Sequence, residues 1–213
     1  KPTKSIRLLY DHRDELAQLS REVVQQVPLF REFTDLEATS LSHRTLKLFT
    51  FSSLHQAIGL LLDKPRNTPR SADDLRLAVE FWEAVVSNMP GWLAVQSHKV
   101  HSSELRRDYI HSHGIALQAI GLAGAQLVAK HPGDWKVRLG GLNTIDWSRS
   151  NTELWEGRAL HGGKISKSTL TIGLVANIIS DAFGLPMTAD AREFERRIKS
   201  SRVGVRNTLR KAG

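Results

Sequence analysis

Residues 146–158 bring together side-chain types that can contact nucleic acid. The segment holds two tryptophans, two arginines and three acids. Arginine offers a planar fork of donors that matches a phosphate, and an indole can stack on a base or lie beneath a guanidinium. We therefore expect Arg149 and Arg158 to contact DNA phosphates. The alternative, which we favour for the tryptophans, is that Trp147 and Trp155 are core anchors and that the acids pair with the arginines internally.

A basic loop that contains glycine follows directly. Gly162, Gly163, Lys164 and Lys167 precede a hydroxyl-rich start of a predicted helix. Backbone N–H groups at such a position favour an anion, and the sequence predicts phosphate contacts at Lys164 and Lys167. The loop is not a nucleotide-binding P-loop, because the spacing from Gly157 to the lysine is one residue too long and no Ser or Thr follows the lysine. A nucleotide at Gly162, Gly163 and Lys164 stays as an alternative.

Positive charge is concentrated at the C-terminal end. The chain has 213 residues and a formal net charge of +8, and from Arg192 onwards eight basic and two acidic residues give a net charge of +6. The spacing predicts a basic helix in which Arg202, Arg206 and Arg210 continue one face. Such a face suits phosphate recognition, with an affinity that falls steeply as salt rises. The alternative is a solvated helix face or a frayed terminus.

No catalytic or metal-binding pattern accompanies these bases. The chain has no cysteine, no Ser nucleophile elbow, no His-Glu-x-x-His run and no spaced acidic cluster for magnesium. His98 with His101, and His111 with His113, lack a carboxylate at fixed spacing, so ordinary hydrogen-bonded histidines explain them better than a metal site. The longest apolar stretch is too short to cross a bilayer, and we expect no membrane partner.

The elements that must position these residues are predicted to be helices nearly throughout. Apolar residues recur at three- and four-residue steps, and no convincing strand pair is visible. The predicted fold class is therefore mainly α, a multi-helix globular domain with a basic C-terminal helix. The other predicted helices cover residues 5–27, 52–63, 71–89, 102–130 and 168–183.

Two of these helices carry packing signals. Ser71 and Asp74 have the spacing of a capping box. The stretch 102–130 holds Gly121 and Gly124 among alanines. Glycine inside a helix costs about 1 kcal/mol relative to alanine, so we expect a second backbone to approach closely there. This Gly/Ala-rich helix is predicted to lie at the centre of the fold.

Several strings of the chain are similar to a known family. They lie at residues 1–5, 9–14, 47–50 and 113–118 and in the stretch from 145–149 to 155–158, and this last stretch is the most specific. Together they resemble the C-terminal part of the DndB family. That family belongs to bacterial DNA phosphorothioation (DNA sulfur modification) gene clusters and to the wider group of DGQHR-domain proteins.

The resemblance implies a cytoplasmic, DNA-binding transcriptional repressor of the modification cluster, with double-stranded promoter DNA as its partner and a link to ATP. No Asp-Gly-Gln-His-Arg string occurs in the chain. We therefore interpret residues 1–70 as a helical segment that follows a missing DGQHR-type domain, and residues 71–213 as a helical C-terminal domain with a basic tail. The loop at residues 64–70, which is basic and rich in proline, marks the boundary.

Two other functional classes stay open at this point. A nucleotide-hydrolysing enzyme would use the loop at Gly162, Gly163 and Lys164, with ATP as its ligand. An assembly module would pack the long Gly/Ala-rich helix on a second copy of the chain or on another subunit. Thermal stabilisation by nucleotide that disappears in Lys164→Ala favours the enzyme, and a concentration-dependent mass without DNA affinity favours the assembly module.

Overall fold

The computed structural model describes residues 4–11, 14–65, 68–166, 168–187, 189 and 191–197. Within this part the fold is mainly α, as predicted. The helices are α1 (Lys4–Tyr10), α2 (Glu15–Gln26), α3 (Pro28–Phe33), α4 (Phe51–Leu62), α5 (Ala72–Ser87), α6 (Pro90–Gln96), α7 (Ser102–Asp108), α8 (Gly114–Lys130), α9 (Trp135–Arg138), α10 (Thr152–Trp155) and α11 (Thr169–Ala182). Two 3-10 turns cover Ile110–Ser112 and Leu139–Thr144, and residues 191–197 are also helical.

Short strands form two small sheets that the sequence did not indicate. They are β1 (Thr34–Asp35), β2 (Phe49–Thr50), β3 (Leu160–His161) and β4 (Lys164–Ile165). β1 and β2 are parallel, whereas β3 and β4 form an antiparallel hairpin with His161 opposite Lys164. Strands of two residues are too short to show the alternation by which strands are recognised in a sequence. The prediction of no strand pair is wrong at these two places, and the β3–β4 hairpin carries Lys164.

The prediction of a single helix over residues 5–27 is wrong, because the helix ends at Tyr10 and a second one begins at Glu15. Asp14 caps α2, and its carboxylate accepts a hydrogen bond from the N–H of Ala17 at 3.0 Å. Arg21 in α2 donates to two carbonyl oxygens near the end of α1, at 3.0 Å and 2.8 Å. An Asp side chain that bonds to the backbone in this way competes with helix continuation and starts a new helix instead.

The predicted helix over residues 102–130 is divided into α7 and α8 by a 3-10 turn. Side chains satisfy the carbonyls that are freed at the end of α7. The hydroxyl of Ser112 donates to the carbonyl oxygen of Leu105 at 2.9 Å, and Nε2 of His113 donates to that of Arg106 at 2.8 Å. These bonds replace helical hydrogen bonds, which explains why an apparently continuous pattern holds two helices.

α8 lies at the centre of the fold, as its glycines predicted. It packs against both α4 and α11. A Cβ at Gly121 would stand 2.2 Å from the carbonyl oxygen of Ala57 in α4, and a Cβ at Gly124 would stand 2.3 Å from the ring of Phe81. Only glycine allows these approaches. The close packing therefore offsets the free-energy cost of placing both glycines inside a helix.

The capping box at the start of α5 is present as predicted. The Ser71 hydroxyl accepts from the N–H of Asp74 at 3.2 Å, and the Asp74 carboxylate accepts from the N–H of Ser71 at 2.9 Å. Lys64 adds an ion pair to Asp74 at 2.7 Å. Burial acts to raise the pKa of Asp74, but the bonds and charge of Lys64 and the bonds from Ser71 outweigh burial and lower this pKa.

One hydrophobic core joins the two sides of the loop at residues 64–70. Leu54 and Phe30 belong to it together with Trp82 and Ile120. α11 adds Val175 to the same core, and its N-cap is Ser168, whose side chain accepts from the N–H of Thr171. Within the described part, no helix combines the length and the apolar character that a membrane crossing needs.

Candidate nucleic-acid interface

The segment at residues 146–158 folds around two stacked indoles. The rings of Trp147 and Trp155 are 5.5 Å apart and inclined by 19°. Both side chains are buried, and each indole N–H donates to a backbone carbonyl, that of Trp147 to Leu142 at 3.1 Å and that of Trp155 to Asp146 at 2.9 Å. The interpretation of the tryptophans as core anchors is confirmed, and neither ring is available to stack on a base.

Arg158 is buried in an ion pair with Glu195. Its Nε donates to Oε1 of Glu195 at 2.9 Å, and its Nη2 donates to Oε2 of the same carboxylate. Nη1 donates to the carbonyl oxygen of Leu154 at 2.7 Å, and Arg158 is only 5% exposed. A guanidinium held on both sides by protein cannot also bind a phosphate. The expected DNA contact at Arg158 therefore has no support from this placement, and the residue instead holds the helix at residues 191–197 against the end of α10.

Arg149 joins the end of α7 to the β3–β4 hairpin. Its backbone N–H donates to the carbonyl oxygen of Asp108 at 2.9 Å, and its two Nη atoms donate to those of Arg107 and Gly163, at 3.1 Å and 2.9 Å. These partners are neutral carbonyls, and the side chain is partly exposed. The hydrogen bond of Arg107 lowers the pKa of Asp108, and the positive charge of Arg149 acts in the same direction. Arg149 is thus fixed in position and keeps part of its surface in solvent.

The turn of the β3–β4 hairpin already binds an anion of its own chain. Gly162 and Gly163 have φ values of 58° and 73°, which turn both N–H groups towards Glu156. The N–H of Gly162 lies 2.5 Å from Oε1 of that carboxylate, and the N–H of Gly163 lies 3.3 Å from Oε2. Consecutive N–H groups in such a turn form an anion-binding nest. A nucleotide phosphate could reach these donors only by displacing Glu156.

Of the remaining predicted phosphate contacts, only Lys164 is among the described residues. Lys164 is exposed on β4, next to the turn. Lys167, Arg202, Arg206 and Arg210 lie outside the described residues. The exposed residues Arg192, Arg196 and Arg197 belong to the helix at residues 191–197, and the latter two form surface ion pairs with Glu193.

The predicted histidine pairs have structural partners. Nδ1 of His101 accepts from the N–H of Ser103 at 3.2 Å, and His113 is bonded to the carbonyl of Arg106. Nδ1 of His111 accepts from the indole N–H of Trp92 at 3.1 Å. Within the described ranges, no three His, Asp or Glu side chains converge as a metal site would require.

A comparison with protein families gives one decisive match. A family model described as DndB, DNA-sulfur modification-associated, matches residues 1–186. The chain belongs to the DndB family. No curated protein and no solved structure is significantly similar to the chain. The resemblance of the short strings to DndB is therefore confirmed, and with it the association with DNA sulfur modification.

The DndB match covers the hairpin but not the end of the chain. Arg149, Arg158 and Lys164 lie inside the matched residues, whereas the helix at residues 191–197 follows them. The ion pair of Arg158 with Glu195 thus connects the family region to the segment in which positive charge is concentrated.

Sequence reasoning missed a second feature of this DndB chain, a cleft beside α7 that His111 and Trp147 line. Pro90 and Gly91 also line it; they directly follow the predicted helix over residues 71–89, and in the structure Pro90 begins α6. The signal that the sequence offered was the pair Gly91-Trp92, a residue without a side chain beside a large donor. The indole N–H of Trp92 bonds His111, which lies 19 residues further along the chain. No local sequence pattern reveals a contact over that separation.

Proposed function

We propose that this chain binds double-stranded DNA and acts in the cytoplasm as a transcriptional repressor of a DNA sulfur modification cluster. Membership of the DndB family supports the connection to DNA sulfur modification. The net charge of +8 supports an anionic partner. The proposed contact surface consists of Arg149, Lys164, Lys167 and the basic residues from Arg192 onwards, including Arg202, Arg206 and Arg210.

The observation that carries the proposal is the anchoring of the helix at residues 191–197 beside the β3–β4 hairpin. Arg158 bonds Glu195 in that helix and the carbonyl of Leu154 in α10. Arg149 bonds the carbonyl of Gly163 in the hairpin turn. The start of the basic C-terminal segment is thereby held close to the elements that carry Arg149 and Lys164, so that their charges can act on one DNA backbone.

The same contacts give the alternatives less support. The glycine donors that a nucleotide would use are bonded to Glu156, so hydrolysis of ATP has no prepared phosphate site in the hairpin turn. The Gly/Ala-rich face of α8 that an assembly module would offer is covered by α4 within the same chain.

The proposal is tested by titrating the chain with two labelled duplexes, one from the promoter of its own modification cluster and one of scrambled sequence, over a range of salt concentrations. We expect the chain to bind the promoter duplex more tightly than the scrambled duplex. The logarithm of the binding constant should fall linearly with the logarithm of the salt concentration. Equal binding to both duplexes would remove the repressor role from this chain while keeping DNA contact. No binding to either at low salt would overturn the proposal.

A further inference from the structure

A cleft of about 500 Å³ opens between the start of α6, α7 and residues 142–147. Clefts of roughly 300–1,000 Å³ with mostly apolar walls and a few polar groups are typical of small-molecule sites. Apolar walls come here from Leu105, Leu142 and Ile145, and the polar groups come from His111 and three carboxylates.

His111 presents an unused donor to this cleft. An indole nitrogen can only donate, so the bond from Trp92 requires that Nδ1 of His111 carries no hydrogen. The imidazole is neutral, because burial, aided by the charge of His113, lowers the pKa of His111 to about 3. The ring hydrogen must therefore be on Nε2, and no described residue accepts a hydrogen bond from it.

Gly91 keeps the space in front of this donor open. A Cβ at this position would lie 3.2 Å from Nε2 of His111 and 3.0 Å from Cδ1 of Leu105. Gly91 follows Pro90 in the first turn of α6, where any residue can adopt the backbone conformation. An alanine there would press on the side chains of Leu105 and His111 and narrow the cleft beside them.

Hydrogen-bond acceptors also line the cleft. Glu104, Asp108 and Asp146 all border it. Arg107 binds Asp108 with two hydrogen bonds of 2.8 Å, whereas the carboxylate of Glu104 makes no hydrogen bond with a described residue. Carboxylates accept hydrogen bonds from an amine and repel a phosphate. A suitable ligand therefore has an acceptor for Nε2–H of His111, an amine for a carboxylate and no phosphate inside the cleft.

We propose that the cleft binds an amine-bearing nucleobase, adenine or cytosine, either as a free nucleoside or as an extrahelical base of DNA. A ring nitrogen of the base accepts from Nε2–H of His111, and its exocyclic amine donates to Glu104. Adenine and cytosine each carry such an amine, whereas thymine does not. Enzymes that flip bases read them in the same manner, by hydrogen bonds to the base edge in an apolar pocket.

The DNA source of the base rests on the proposed function, and the structure supplies a reason for it. Arg107 and Arg149 do not line the cleft, but both bond Asp108, which does: Arg107 bonds its carboxylate, and the N–H of Arg149 bonds its carbonyl oxygen. Phosphates that flank an extrahelical base would meet these guanidinium groups outside the cleft, while the base itself meets the carboxylates.

The nucleoside is tested by following the indole N–H resonances of the ¹⁵N-labelled chain during titration with adenosine, cytidine and thymidine. We expect saturable shifts with adenosine or cytidine and none with thymidine. Gly91→Ala should abolish the shifts, whereas Gly133→Ala, where a Cβ would meet nothing within 4 Å, should keep them. Glu104→Gln should weaken the affinity by up to about fivefold, the effect of removing one exposed charged partner.

Two outcomes would overturn the proposal. Absence of shifts with every nucleoside, or shifts that persist unchanged in a folded Gly91→Ala chain, would leave the cleft as a solvent-filled surface depression. Thermal melting of both glycine variants establishes that they are folded.

A second titration separates the two sources of the base. A duplex with one bulged adenine is compared with the same duplex bearing an abasic bulge. Preference for the bulged adenine that disappears in Gly91→Ala supports the DNA source. Equal affinity for both duplexes restricts the cleft to free nucleosides. If no duplex binds although adenosine still shifts the indole resonances, the proposed DNA function fails and the cleft proposal survives.

Discussion

The α4–α8–α11 layer and the segment at residues 146–165 are held together by different means. In the helical layer, glycines let backbones touch, and the fit depends on shape. In the segment, long side chains such as Arg149 and Arg158 reach carbonyls and a carboxylate far along the chain. Shape-based packing follows from local composition, whereas polar bonds over long separations depend on the finished fold. The comparison predicts that the two regions respond differently to mutation.

The largest effect is expected from Gly121→Ala in the helical layer. Its new Cβ would lie 2.2 Å from a backbone carbonyl oxygen of Ala57, which cannot move without shifting α4. We expect a loss of about 3 kcal/mol or more in the free energy of unfolding, at the upper end of overpacking effects. Gly173→Ala in α11 is the control, since a Cβ there meets nothing within 4 Å. It should stabilise by up to about 1 kcal/mol in urea denaturation, because alanine is the better helix former. Equal effects of both variants would refute packing by close approach.

The next effect concerns the polar segment. Arg158→Met leaves the carboxylate of Glu195 without its partner, and the two side chains are 6% and 15% exposed. We expect a loss of about 3 kcal/mol, typical of a partly buried pair that loses one member. The double variant Arg158→Met/Glu195→Leu should recover much of that loss, and a double-mutant cycle by urea denaturation measures the coupling. A single variant as stable as wild type would show that the pair does not hold the C-terminal helix.

A smaller effect is expected from pH at the junction of the two regions. The pKa of His111 falls from its ordinary 6.5 to about 3 in the folded chain, so below pH 6.5 only the unfolded state takes up this proton. Stability is therefore lost as pH falls, by about 2 kcal/mol in total by pH 5, and above about pH 7.5 this residue causes almost no loss. His111→Gln, which keeps an acceptor for the indole of Trp92, should lack this component. Parallel pH profiles of the two chains would contradict the assignment.

The sequence predicted much of the helical layer for a physical reason. The capping box at Ser71, the helix at residues 52–63 and the close approach at Gly121 all follow from residues within one or two turns of one another. The breaks before α2 and before α8 were missed, because single side chains such as Asp14 and Ser112 override an otherwise continuous apolar pattern.

The polar region was predicted less completely. The type of side chain at Arg158 suggested a phosphate contact, but its partner Glu195 lies 37 positions away. The sequence suggested a phosphate at Gly162 and Gly163, whereas in the structure their N–H groups bond the carboxylate of Glu156 in the same chain. A sequence pattern indicates which chemistry a side chain can perform, whereas its binding partner is known only from the fold.

The most direct test of DNA binding by the proposed contact surface compares two double-lysine variants of equal net charge. Lys164→Gln/Lys167→Gln removes charge from that surface, and Lys99→Gln/Lys130→Gln removes the same charge elsewhere. Affinity for a promoter duplex is measured over a salt series. We predict that the first variant binds more weakly and that its salt slope falls by about 2, close to 0.9 for each lost phosphate contact, while the control keeps the wild-type slope. Identical affinities and slopes in both variants would contradict a localised DNA-binding surface.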